Sequence, residues 1–140
     1  MPNIILSVLG LLLASATAGM SMSYAGDAMK GGADKALAAS SISLGSQIAS
    51  AVKLYDLQEG RKYAGPSLQG LVSAEYLSSI PENPAKAGSP IIAHDQEGQR
   101  IAGIPLGEDA QGVCATIESL SDRAGCVQRD NGSALAYVRI

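Results

Sequence analysis

The sequence predicts an α+β chain in which a long amino-terminal helix precedes a small antiparallel sheet. Three observations carry that expectation. Met1 to Gly26 contains no charged side chain, and Asp27 is the first charge. Between Leu37 and Tyr55 apolar residues recur at helical spacing. From Arg61 onward short apolar runs alternate with Gly, Pro and Asn turn signals, which is the pattern of short strands and loops.

A length of 140 residues accommodates one ordinary domain and leaves little room for a second independent core. Hydrophobic residues make up 46% of the chain, yet it has no Phe and no Trp, so the core must be aliphatic and finely divided. The net charge of -3 is mild and the Lys and Arg residues are scattered, which argues against a nucleic-acid surface built on a basic stripe.

Within the first segment, Ile4 to Ala18 is a nearly unbroken apolar run. A cleaved signal peptide is one reading, because Ala14-Ser15-Ala16 and Ala16-Thr17-Ala18 look like small-residue cleavage sites. No Lys or Arg precedes the run, as a basic leading region requires, so the segment is expected to stay in the mature chain. About 20 apolar residues are enough to cross a bilayer. Here the apolar density thins from Ser15 onward, and small residues at Ala14, Ala18, Gly19 and Gly26 suit close contact between helices. Glycines weaken an isolated helix by about 1 kcal/mol each, so a locally stretched helix is expected there. Met1-Pro2 fits a helix start, where proline forfeits only a donor that had no partner.

The amphipathic continuation places Leu37, Leu44, Ile48, Val52 and Tyr55 on one face. Asp34, Lys35, Gln47, Lys53 and Asp56 lie between them and are expected to meet solvent or a neighbouring subunit. Glu59-Gly60 supplies the stop. The helix thus has a first half with nothing of its own to cover it. A bundle of identical helices would cover it, and head-to-tail contacts that do not close generate a filament.

In the remainder, Gly65-Pro66-Ser67 opens a short helical turn through Leu68, Leu71 and Val72, and Ser73 is expected to cap a second over Ala74 to Ser79. Pro81 and Pro84 predict an extended connector. Pro90 to His94 and Gln99 to Ile104 read as a hairpin through Gln96-Glu97-Gly98. Ala115 to Leu120 reads as a short helix. Asn131-Gly132 between apolar runs signals a second hairpin ending in Ala134 to Ile140, for three to five strands in all. Cys114 and Cys126 lack CxxC spacing, so a structural disulfide in an oxidising compartment is preferred over two buried thiols. Such a loop would constrain the unfolded chain by roughly 3 kcal/mol.

These parts together resemble the type IV pilins and the pseudopilins of type II secretion systems. The resemblance rests on the charge-free Ile4 to Gly26 stretch, the Ala33 to Tyr55 continuation, Glu75-Tyr76-Leu77 through Ile80-Pro81-Glu82-Asn83-Pro84, and the carboxy-terminal cysteine pair. It implies a structural subunit rather than an enzyme, without cofactor, and a pilin-like α+β fold. Residues 1–27 would be a protruding apolar helix, first a membrane anchor and then the filament core. Residues 28–140 would form the head, including the second half of the helix. Met1 would be the processed and N-methylated terminus, with Ile4, Ile5, Leu6, Val8, Leu9, Leu11, Leu12 and Leu13 in the filament core. Partners would be copies of the chain itself, the inner membrane before assembly, and a prepilin peptidase, an ATPase, a platform protein and a secretin. The product would be an extracellular fibre of the kind that serves adhesion or motility. Family members usually carry Glu at the fifth mature position, where it pairs with a neighbour's terminal amine. This chain has Ile5, so either Asn3 or a helix-end carbonyl satisfies that amine, or the subunit assembles differently, as some tip pseudopilins do.

Competing chemistry is thin. The only histidine, His94, adjoins Asp95 and is expected at an exposed strand end rather than in a Ser-His-Asp site. Glu108-Asp109 and Asp95-Gln96-Glu97 do not form a dense calcium loop and read as solvated turns. Tyr55, Tyr63, Tyr76 and Tyr137 suit either an aromatic surface or the edge of a small core. Asn131-Gly132-Ser133 matches a glycosylation acceptor but is explained by turn chemistry. The reading from another class is a secreted or periplasmic binding module starting near Gly19.

Overall fold

The computed structural model describes residues 25–140 apart from 109 and 130, with side chains from residue 31 onward. Helix α1 spans Ala25–Glu59. It ends where expected, because Gly60 turns into the left-handed region at φ 64°, a conformation that costs glycine little. Ala38, Ser41, Leu44, Ile48 and Val52 form its buried stripe at steps of three and four residues. At Gly45 the helix comes so close to the sheet that a Cβ would stand 2.5 Å from Val138 Cγ2 and 3.3 Å from Ile104 Cδ1. A glycine that weakens the isolated helix here permits backbone contact with the sheet. Among the described residues no helix is long and apolar enough to cross a membrane.

Four antiparallel strands follow: β1 (Ile91–His94), β2 (Arg100–Leu106), β3 (Ala124–Gln128) and β4 (Ala134–Arg139). Their spatial order is β1-β2-β4-β3. Alternation puts Ala102, Ile104 and Leu106 of β2, with Ala134, Ala136 and Val138 of β4, into the core shared with α1. On the other sheet face Tyr137 lies across Gly125, where a Cβ would come within 2.6 Å of the tyrosine hydroxyl.

Both predicted hairpins form, and their turns are built alike. In the first, Gly98 N–H donates to Asp95 O (3.0 Å) and Asp95 N–H to Gln99 O (2.8 Å). In the second, Gly132 N–H donates to Arg129 O (3.0 Å) and Arg129 N–H to Ser133 O (2.8 Å). Gly98 and Gly132 take φ 78° and 81°, which explains a glycine at each. The Asn-Gly pair therefore closes a longer loop than the two-residue turn it usually marks.

Three elements differ from expectation. Helix α2 is confined to Gln69–Ser73, and no helix covers Ala74 to Ser79. Glu75 enters the left-handed region at φ 63°, and Tyr76 N–H returns to Leu71 O (2.9 Å), which closes the helix instead of extending it. The Pro81–Pro84 segment is not extended throughout, because Lys86 N–H donates to Asn83 O (2.9 Å) and closes a turn. Helix α3 spans Gln111–Leu120, starting one turn earlier than predicted and burying Val113, Cys114 and Ile117.

Ser41 is an irregularity in the core. Its side chain is 1% exposed and, among the described residues, its hydroxyl has no hydrogen-bond partner. It borders a crevice with no room for a water molecule, lined also by Ile104, Ile117 and Val138. Ser40 and Ser50, by contrast, donate to carbonyls one turn back (2.8 Å each). Ser41→Ala removes an unsatisfied buried hydroxyl and improves helix propensity, so it should raise the unfolding free energy by about 1 kcal/mol in urea melts. A loss of stability would show that the hydroxyl has a partner.

Candidate functional site

The filament-core positions Ile4, Ile5, Leu6, Val8, Leu9, Leu11, Leu12 and Leu13, and the terminal Met1, lie outside the described residues. What the structure shows is how the Asp34–Ile140 body is fastened together and which surface it presents.

The foot of α1 is tied to the sheet by charge. Arg100, at the start of β2, binds both oxygens of Asp56 on α1, through Nη2 to Oδ2 and through Nη1 to Oδ1 (3.2 Å). Asp56 Oδ1 also accepts from Tyr63 N–H (2.7 Å), so one carboxylate joins helix, connector and strand. Asp56 was expected to face solvent; its side chain is instead 19% exposed, because Arg100 reaches it from across the fold. The Arg100 hydrogen bonds hold the Asp56 pKa below its usual value, partial burial opposes them, and the Tyr63 N–H adds to the lowering.

A carboxyl whose pKa is depressed on folding stabilises the fold above its unfolded pKa, and that stabilisation is lost as the pH falls through the folded value. The Asp56 contribution should thus be intact at neutral pH and disappear below about pH 4. Asp56→Asn should cost about 2 kcal/mol at neutral pH, less than a fully buried pair because both partners retain some solvent. The difference between parent and variant should shrink on acidification. A pH-independent difference would assign the loss to packing alone.

Beside this knot three tyrosines pack edge to face, with ring centroids 5.1 Å apart for Tyr55 and Tyr63 and 5.3 Å for Tyr55 and Tyr76. Tyr63 OH donates to Ser67 O (2.5 Å), and burial pushes its pKa up. Tyr76 OH donates to Glu59 Oε1 (3.2 Å). These three sit at the core edge, whereas Tyr137 belongs to the opposite sheet face.

Cys114 of α3 and Cys126 of β3 are disulfide-bonded, with Cα atoms 5.4 Å apart. The bond staples an edge strand to the helix that precedes it. His94 is exposed at the end of β1. Its neighbour Asp95 is committed to the hairpin, accepting from Glu97 N–H (3.0 Å) and Gln99 N–H (2.8 Å). Glu108 is exposed and Asp109 lies outside the described residues. Among the described residues no three His, Cys, Asp or Glu side chains are grouped as metal ligands would be.

Along its solvent flank α1 borders a groove of about 520 Å³ with Ser43, Ser46, Gln47, Ser50 and Leu54 on one wall and Tyr76 and Leu77 on the other. Leu54 is 45% exposed and Leu57 is 81% exposed, so the helix carries uncovered apolar surface on the side away from Ile48. Sequence reading missed Asp56–Arg100 and the buried Asn83; only the unusual placement of Asn83 between two prolines hinted at the latter. No protein-family model matches the chain, and no curated protein and no solved structure matches it.

Proposed function

We propose that this chain is the structural subunit of an extracellular pilus-like filament, held in the inner membrane before assembly and then bundled through its apolar amino-terminal segment. The observation that carries the reading is the union of two features in one chain. A charge-free run from Met1 to Gly26 leads into a helix packed on a four-stranded antiparallel sheet with a disulfide near its carboxy-terminal end. That architecture is compatible with a pilin. Leu54 and Leu57 on the outer side of α1 supply apolar surface that a neighbouring subunit would cover. The proposed partners are other copies of the chain and the peptidase, ATPase, platform protein and secretin of such an assembly system.

Electron microscopy of material sheared from the cell surface tests this directly. Thin fibres containing the polypeptide, and a mature chain beginning at Met1 and heavier by one methyl group, are the expected result. Replacing Leu9 by Asp should abolish the fibres while leaving the chain produced, since an unpaired carboxylate in an apolar bundle costs several kcal/mol. A soluble monomer beginning near Gly19 would instead identify a secreted binding module. Ile5 in place of the usual acid favours a minor or tip position as the second reading. Under that reading, labelled antibody should mark fibre ends instead of their length.

A further inference from the structure

We propose that Asn131 deamidates spontaneously, through a cyclic imide formed with Gly132 and assisted by the backbone and hydroxyl of Ser133. Asn131 and Gly132 are both exposed at the tip of the β3–β4 hairpin. Apart from its two chain neighbours, no atom stands within 4 Å of where a Cβ on Gly132 would lie, so no side chain from elsewhere in the fold crowds this position. Ser133 N–H and Ser133 O–H both donate to Asn131 Oδ1, at 3.1 and 2.6 Å. Negative charge develops on that oxygen when a nucleophile adds to Cγ, and two donors already point at it.

The step is balanced by solvent alone. The Gly132 nitrogen bonds to Asn131 Cγ as its proton passes to hydroxide or water. The Cγ–Nδ2 bond then breaks, and the nitrogen leaves as ammonia after taking up a proton. One water opens the imide at either carbonyl and leaves aspartate or isoaspartate at position 131, with no change of oxidation state. Gly132 N–H is bonded to Arg129 O (3.0 Å), so this single turn bond must open first, while the bonds from Ser133 are local and persist.

The other asparagines offer internal controls. Asn83 precedes Pro84, whose nitrogen has no proton to lose, and its amide is held by two carbonyls. Asn3 precedes the branched Ile4, which crowds the attacking nitrogen. Conversion at position 131 adds a negative charge to the hairpin tip, and the isoaspartate product inserts an extra backbone carbon between β3 and β4. None of this depends on the fibre reading.

The test is to hold the purified full chain at mildly alkaline pH and follow ammonia release and isoaspartate by peptide mass mapping. Position 131 should react at least about tenfold faster than positions 3 and 83, and Ser133→Ala should slow it several-fold, because an exposed oxyanion donor is partly replaced by water. Ser133→Thr keeps the hydroxyl and should retain the parent rate, and Asn131→Gln should release no ammonia on that timescale. Unchanged thermal midpoints establish that the hairpin is intact in each variant. Persistence of Asn131 for as long as Asn83, or an unchanged rate in Ser133→Ala, would overturn the proposal.

Discussion

Asn83→Ala is expected to lower the unfolding free energy by about 2 to 3 kcal/mol, a large effect for a loop residue. The side chain is 5% exposed and uses both ends of its amide. Nδ2 donates to Gly88 O (2.7 Å) and Pro105 O (2.8 Å), and Oδ1 accepts from Ala85 N–H (2.9 Å). Truncation leaves three backbone groups without that partner and frees a segment in which Lys86 and Gly88 hold φ 53° and 119°. Asn83→Asp separates hydrogen bonding from volume, because a carboxylate cannot donate to the two carbonyls. Its pKa should rise on folding, so the variant should be most stable in acid and lose stability as the pH rises through the carboxylate range. Urea titrations at acid and neutral pH provide the measurement. An Asn83→Asp variant as stable as the parent at neutral pH would rule out this role for the amide.

Removing the Cys114–Cys126 bond by the double change Cys114→Ala/Cys126→Ala should cost about 3 kcal/mol, most of it through the greater freedom of the unfolded chain. For a body of this size that corresponds to a fall of roughly 15 °C in Tm. The slope of the urea transition should increase as well, because the unlinked chain exposes more surface when it unfolds. A fall in midpoint without a steeper slope would place the loss in the native state, where Cys114 is buried against Val113 and Ile117. Reduction of the parent protein should reproduce the shift.

The parts of this fold governed by local chemistry were readable from the residues. Helical spacing marked the α1 stripe at Leu44, Ile48 and Val52, and glycine-bearing turns marked both hairpins. The cysteines pair as preferred. Interactions between distant residues were not readable. Asp56 looks like any charged helix residue until the sheet brings Arg100 to it from 44 positions away. Gly45 looks like a defect until Val138 is laid against it. The expected helix over Ala74 to Ser79 failed for a related reason: anchoring Tyr76 and Leu77 on the core outweighed local propensity. Of the proposed assembly segment, the charge-free run is legible in sequence, and its positions 4–13 lie outside the described residues.

The strand order β1-β2-β4-β3 has a consequence for folding. β4 is the latest of the four strands to be made, yet both β2 and β3 depend on it as a neighbour. Until β4 pairs, a folding chain holds a β1–β2 hairpin and an unpaired β3, each with an open edge. Such open edges attract other chains. The disulfide between Cys114 and Cys126 includes no residue of β4, so in an oxidising compartment it can close before β4 docks and hold β3 beside α3 until the last strand slides in.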